Sequence, residues 1–318
     1  MRLFLFSFLF AGTVTCAAAK ATKILDTSFK DTTSAKSDTA KKAKKPTLEI
    51  KTGFVNNTVF LGRTDTVATP SYSLGLTYTL KCGLFFSGSV DYIPSRQFDK
   101  VDGGSLEAGY NFDVDNLSGG VSLSKYFASF NSTQLISALD ATASAELSYD
   151  LFEVITPSVH ADYALAKSGD NNDFLLNAGL EHEFGFDKVF GAHDHLTVSP
   201  AFHINSGTQN FYSTYVVRKK ASALKRLLKA ATKNNGKGVS ISTSNGKRTT
   251  TQTNSTNKFQ ILDYEWSVPV TYTVKRLSFE FSPTYAIAVH KIYDNGTETT
   301  YLPNSSVFYF QAAVSYKF

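Results

Sequence analysis

The sequence predicts an all-β chain: a transmembrane, antiparallel, up-and-down β-barrel, most simply of 12 strands. Three observations carry this. Apolar and polar residues alternate along stretch after stretch between Thr47 and Phe318, with the period of two that a strand imposes. The connections between these stretches are short and long in turn. Aromatic residues gather at both ends of the stretches, as in a wall that meets two lipid–water interfaces. A mean hydropathy of −0.14 hides such a wall, because membrane-facing and lumen-facing residues cancel in any average.

The chain opens with Arg2, an apolar run Leu3 to Val14 and the small residues Ala17 to Ala19. This reads as a secretory signal peptide over 1–19, cleaved after Ala19. The alternative is a lipoprotein signal acylated at Cys16, for which Thr15 is a poor neighbour. Cys82 is the one other cysteine, so the mature chain is no disulfide scaffold. Beyond the leader, no apolar run approaches the roughly 20 residues that a membrane helix needs. Residues 20–46 are rich in Lys and Thr and almost free of large apolar residues. They cannot bury enough surface to offset their ordering entropy and read as a disordered tail.

The barrel occupies 47–318. The oily parity of strand 1 is Leu48, Ile50, Thr52, Phe54. Strand 2 follows with Tyr72 to Leu80, strand 3 with Leu84 to Tyr92, strand 4 with Leu106 to Phe112, and strand 5 with Leu117 to Leu123. Strand 6 is Ala141 to Tyr149, strand 7 Ile155 to Leu165, and strand 8 Phe174 to Phe184. Strand 9 is Leu196 to Ile204, strand 10 Tyr264 to Val274, and strand 11 Leu277 to Ile287. Strand 12 is Ser306 to Phe318, whose oily parity is Phe308, Phe310, Ala312, Val314, Tyr316 and Phe318. Even-numbered strands are followed by short connections such as Lys81-Cys82 and Lys275-Arg276. Odd-numbered strands are followed by longer ones, up to Ser206–Asn257. Pro157, Pro200, Pro269 and Pro283 fall within strands. Proline lacks the ladder N–H, so bulges or local strand ends are expected there.

The last stretch resembles the closing strand of bacterial outer-membrane β-barrel proteins of the porin-like class. The resemblance implies a bacterial outer-membrane location and short periplasmic turns. It also implies that Tyr316 and Phe318 serve as a signal to the barrel assembly machinery. Partners would then be outer-membrane lipid, lipopolysaccharide and small polar solutes, with no nucleic acid.

The lumen parity is rich in Ser, Thr and Gly, small enough to leave the interior unfilled. It also carries Asp91, Glu107, Glu146, Asp162, Glu181, Glu183, Glu265 and Glu280, with His160 and His203 and the cations Lys51 and Lys317. Carboxylate rings favour cation passage; the same groups could simply solvate the wall. The loop Ser206–Asn257 has no acidic residue and carries Arg218, Lys219, Lys220, Lys225, Arg226, Lys229 and Lys233. Leu224, Leu227, Leu228 and Ala231 within it have helical spacing, so Ala221 to Lys233 reads as a short basic amphipathic helix. It would meet lipopolysaccharide or fold over the acidic lumen.

Enzyme signals are thin. His203 to Gly207 is loosely similar to the His-x-Ser-Asn-Gly run of the 12-stranded outer-membrane phospholipases, but Asn205 stands where the nucleophile belongs and Ser206 is displaced by one. His193-Asp194-His195 lacks the further ligands a metal site needs. No enzyme, cofactor or metal is expected. The expected function is passive diffusion of small polar solutes, with a preference for cations. The alternatives are an occluded barrel serving as a structural or adhesion surface and, more remotely, a lipid hydrolase.

Overall fold

The computed structural model describes residues 45–64, 69–95, 100–129, 132, 138–167, 172–208, 210, 259–289, 293–294, 297–298 and 306–318. Twelve antiparallel strands close into a barrel. They are β1 (Thr47–Val55), β2 (Ser71–Thr79), β3 (Leu84–Tyr92), β4 (Val101–Val114), β5 (Leu117–Ala128) and β6 (Leu139–Tyr149). Then come β7 (Thr156–Ala166) and β8, in two parts, Asp173–Glu181 and Phe184–Asp187. β9 is also in two parts (Asp194–Val198, Ala201–Gly207), as is β10 (Gln260–Ser267, Val270–Val274). β11 (Leu277–Ala288) and β12 (Ser306–Lys317) complete the set. Each strand pairs with its sequence neighbour, and β12 closes the ring by pairing with both β11 and β1. Closure removes the free edges that an open sheet would expose.

The alternation predicts which face each residue takes. The oily parity forms the outer wall and nothing among the described residues covers it: Leu123 is 67% exposed, Leu106 and Phe308 59%, Leu74 58%. A continuous apolar wall of this extent is what a bilayer covers. Tyr78, Tyr149, Phe184 and Tyr316 stand exposed at the turn end, and Tyr72, Tyr92, Tyr163, Tyr285 and Phe308 at the loop end. The architecture is that of an outer-membrane β-barrel.

The turns are tight where the sequence predicts it. β4 and β5 are joined by Asp115-Asn116 and β10 and β11 by Lys275-Arg276; Asp115 and Lys275 have φ of 54° and 57°. A two-residue hairpin loop needs such left-handed residues to follow the strand twist.

Pro200 and Pro269 act in one of the two expected ways, whereas Pro283 makes neither a bulge nor a strand end and lies within the unbroken β11, in register opposite Phe310. Pro200 and Pro269 sit in the gaps that divide β9 and β10. Pairing stays in step across them, from Val198 opposite Val270 to Ala201 opposite Ser267. Their carbonyls still accept, from His182 N at 3.1 Å and Ser199 N at 2.9 Å. They end strands locally and cause no bulge. The bulges lie elsewhere, at Asp91/Tyr92, Leu139/Ala141 and Asn205/Ser206, all near the loop end. Pro157 is the second residue of β7, beyond its last pair with β6 and opposite Leu180 of β8.

Candidate functional site: the barrel lumen

Along β1 to β4, small hydroxyl residues line the inner wall and satisfy one another. Thr77 and Ser87 hydroxyls lie 2.9 Å apart, as do those of Ser89 and Ser105. They leave an open cavity of about 360 Å³ bounded by residues including Glu49, Lys51, Ser73, Thr77, Ser89, Glu107 and Asn111. A space of that size lined by polar groups holds water.

The charged residues of this wall form pairs. Lys51 reaches Glu280 at 2.7 Å, across the strand between them, and Lys317 lies 3.5 Å from Glu49. His160 sits between two carboxylates, 2.9 Å from Asp162 and 3.9 Å from Glu146, and Ser144 donates to Asp162 at 2.6 Å. Of the expected lumen carboxylates, Glu146 and Asp162 are thus drawn to His160, and Glu280 to Lys51. Glu107 faces the cavity, Asp91 lies near Asp102 at the loop end, and Glu265 lies near Asp263. Glu181 stands opposite Ala201, and Glu183 lies in the gap of β8. Tyr316 and Phe318 stack edge to face at 4.8 Å, and Phe318 N donates to Leu48 O at 2.9 Å.

The loop-side half is narrowed by a feature absent from the sequence reading. The connection after β1 does not simply extend outward. Val59–Phe60 and Arg63–Thr64 pair as a small hairpin. Leu61 and Gly62 at its tip have φ of 51° and 68°, a two-residue turn with both residues left-handed. The tip packs on the inner wall of β10 and β11: a Cβ on Gly62 would come within 2.7 Å of Asp263 Cβ and 3.2 Å of Ala288 N. Leu262, Asp263, Ala286 and Arg63 are fully buried, and Ala288 and Tyr309 nearly so. Burial lowers the Arg63 pKa to about 10 against the pull of the neighbouring Asp263. The guanidinium therefore remains charged at neutral pH and brings a cation to the acidic wall. The glycine between Leu61 and Arg63 is the local signal for this turn; nothing in the sequence says that the turn folds inward.

The amides Asn177 and Asn205 and the expected lumen residue His203 line the wall beside the hairpin. Asn177 donates to Asn205 Oδ1 at 2.7 Å, and His203 Nδ1 lies 3.2 Å from Asn177 Oδ1. His203 thus faces the lumen. Ser206 pairs with Leu176, and no hydrogen bond joins His203 to Ser206 among the described residues. A nucleophile and its base must lie within hydrogen-bond reach, so the hydrolase expectation gains nothing from this geometry. His195 is engaged by Asp187 at 2.8 Å, and no metal-binding cluster occurs among the described residues. The basic residues Arg218, Lys219, Lys220, Lys225, Arg226, Lys229 and Lys233, the helix expected around them, and the leader lie outside the described residues.

No family model and no curated protein matches the chain. Similar solved structures include the KdgM porin, at 8% identity and a TM-score of 0.41 over 86% of this chain and 99% of that one. LpxR from Salmonella typhimurium has 13% identity and a TM-score of 0.47, over 84% and 99%. An outer membrane channel from Pseudomonas putida F1 has 9% identity and a TM-score of 0.41, over 86% and 96%. Likeness at this level is one of barrel architecture alone.

Proposed function

We propose that this chain is an outer-membrane channel through which small polar solutes diffuse passively, with a preference for cations. The observation that carries the reading is the polar cavity of about 360 Å³ inside a closed barrel whose outer wall is apolar and exposed. Passage needs no chemistry: solutes are filtered by size at the Arg63 hairpin and by charge along the carboxylate-rich wall. The basic loop 206–257 is read as a contact for lipopolysaccharide phosphates, and the leader as the export signal. A swelling assay tests the channel reading. Liposomes containing the folded protein are expected to swell in small sugars and amino acids, at rates that fall steeply with solute size. Swelling no faster than that of empty liposomes contradicts the reading.

A further inference from the structure

The outer wall is not evenly filled. On β6 the outward residues Ala141 and Ala143 are small. Their partners on the neighbouring strands are large: Leu123 and Tyr163 flank Ala143, and Lys125 and Leu165 flank Ala141. On the far side of Leu123, the outward residue opposite it on β4 is again small, Ala108. These positions enclose an apolar groove of about 520 Å³ with Leu123 as a ridge across it. It lies on the outer face, where Leu123, Tyr163 and Leu165 are all exposed.

The groove has one polar end. Lys125 lies on the outward parity of β5, one row nearer the loops than the girdle residue Tyr163. Asp140 is the extra residue of the bulge at Leu139/Ala141, and bulges re-aim side chains. The bulge brings the Asp140 carboxylate to 2.6 Å from Lys125 Nζ. A charge on a lipid-facing wall is tolerated near the interface and costly at mid-membrane, so this pair marks the headgroup level. An ammonium carries three N–H donors, and the contact with Asp140 uses one of them. Lys125 also remains exposed. From this end the alanine floor descends along β6 toward mid-membrane. Charge at headgroup level with an apolar trough below it is the profile of a lipid. A second barrel would present a convex wall, which would rest on the Leu123 ridge and leave the low points on either side unfilled; flexible acyl chains enter them.

We propose that this face seats the phosphorylated, multiply acylated lipid portion of lipopolysaccharide, with acyl chains on both sides of Leu123 and a phosphate on Lys125. The seat lies toward the loop ends of β5 to β7, the side of the leaflet that lipopolysaccharide occupies. It is built on strands and is separate from the loop 206–257. It rests on the outer-membrane assignment and not on whether the lumen conducts. Bilayer and groove are equally apolar, so the chains are held by close van der Waals fit. The ammonium–phosphate contact adds a charge-assisted hydrogen bond.

The test is native mass spectrometry of the whole folded barrel in detergent. The probe is lipid A, and dioleoylphosphatidylglycerol is the anionic two-chain control. Lipid A is expected to form adducts at concentrations at least about tenfold lower than the control. Lys125→Gln removes the charge-assisted contact and is expected to weaken lipid A binding about tenfold. Ala143→Leu fills the floor and is expected to weaken it by a similar factor. Ala178→Leu is the control substitution: it lies outside the groove, opposite Val159 and Ile204, and is expected to change nothing. Equal or tighter binding of the phosphatidylglycerol overturns the proposal, as does lipid A binding that Lys125→Gln or Ala143→Leu leaves unchanged. The comparison of the two lipids on the wild-type barrel needs no variant, so misfolding of a mutant does not decide it. Conductance plays no part in the readout, and failure here leaves the channel reading standing.

Discussion

Gly62 and Lys51 decide much at the scale of single residues. Gly62 is left-handed and touches Asp263, so a side chain there is both strained and obstructed. Gly62→Val is expected to cost about 1–3 kcal/mol of local stability. Its readout is a widened loop-side mouth, seen as faster liposome swelling in larger sugars while the barrel stays folded. Unchanged size dependence would mean that the hairpin does not set the narrow point. Lys51 answers Glu280 at 2.7 Å in a partly exposed pair, which contributes about 0–1 kcal/mol. Lys51→Met is therefore expected to leave the melting behaviour nearly unchanged. It removes one cation from the wall, so the zero-current potential in a salt gradient should move further toward the cation value; a move toward the anion value contradicts the assigned wall charge.

At the scale of the strand, the two parities meet different solvents. Val198→Arg, Val268→Arg and Phe281→Arg place a charge on the outer wall and are each expected to cost roughly 2–4 kcal/mol in a lipid-embedded refolding titration. Ser73→Arg, which points into the open cavity, is expected to cost much less. Equal losses on the two parities would contradict the membrane-facing assignment. The strands were legible because a period of two is a local property: Phe308 and Phe310 announce their face whatever the rest of the chain does. The proline gaps were half legible. A missing N–H at Pro200 and Pro269 is certain from sequence, but the register that holds across both depends on pairing with distant strands. The same holds inside the barrel. Ser199 and Thr197 are small lumen-side residues like Ser73, yet they are fully buried while Ser73 faces open space. Alternation gives the side of the wall and is blind to what packs over it.

For the whole molecule, the closed ring of 12 strands was readable and the contents of the lumen were not. Loop length marked the connection 56–70 as external, whereas its hairpin turns inward to Asp263, about 200 residues away in the chain, a contact that no local pattern encodes. The contacts that join Asn177, Asn205 and His203 are invisible in sequence for the same reason, since they exist only once β8 and β9 are in register. The proposed channel is a water-filled barrel, lined by its acidic wall and narrowed at one end by the hairpin around Arg63. Single-channel current in planar bilayers tests it most directly, comparing the wild-type protein with a variant in which Val59–Thr64 is replaced by a short Gly-Ser link. The expected result is a steady cation-preferring conductance that rises clearly in the hairpin variant. Silent membranes from both folded proteins, or one identical conductance, would contradict it.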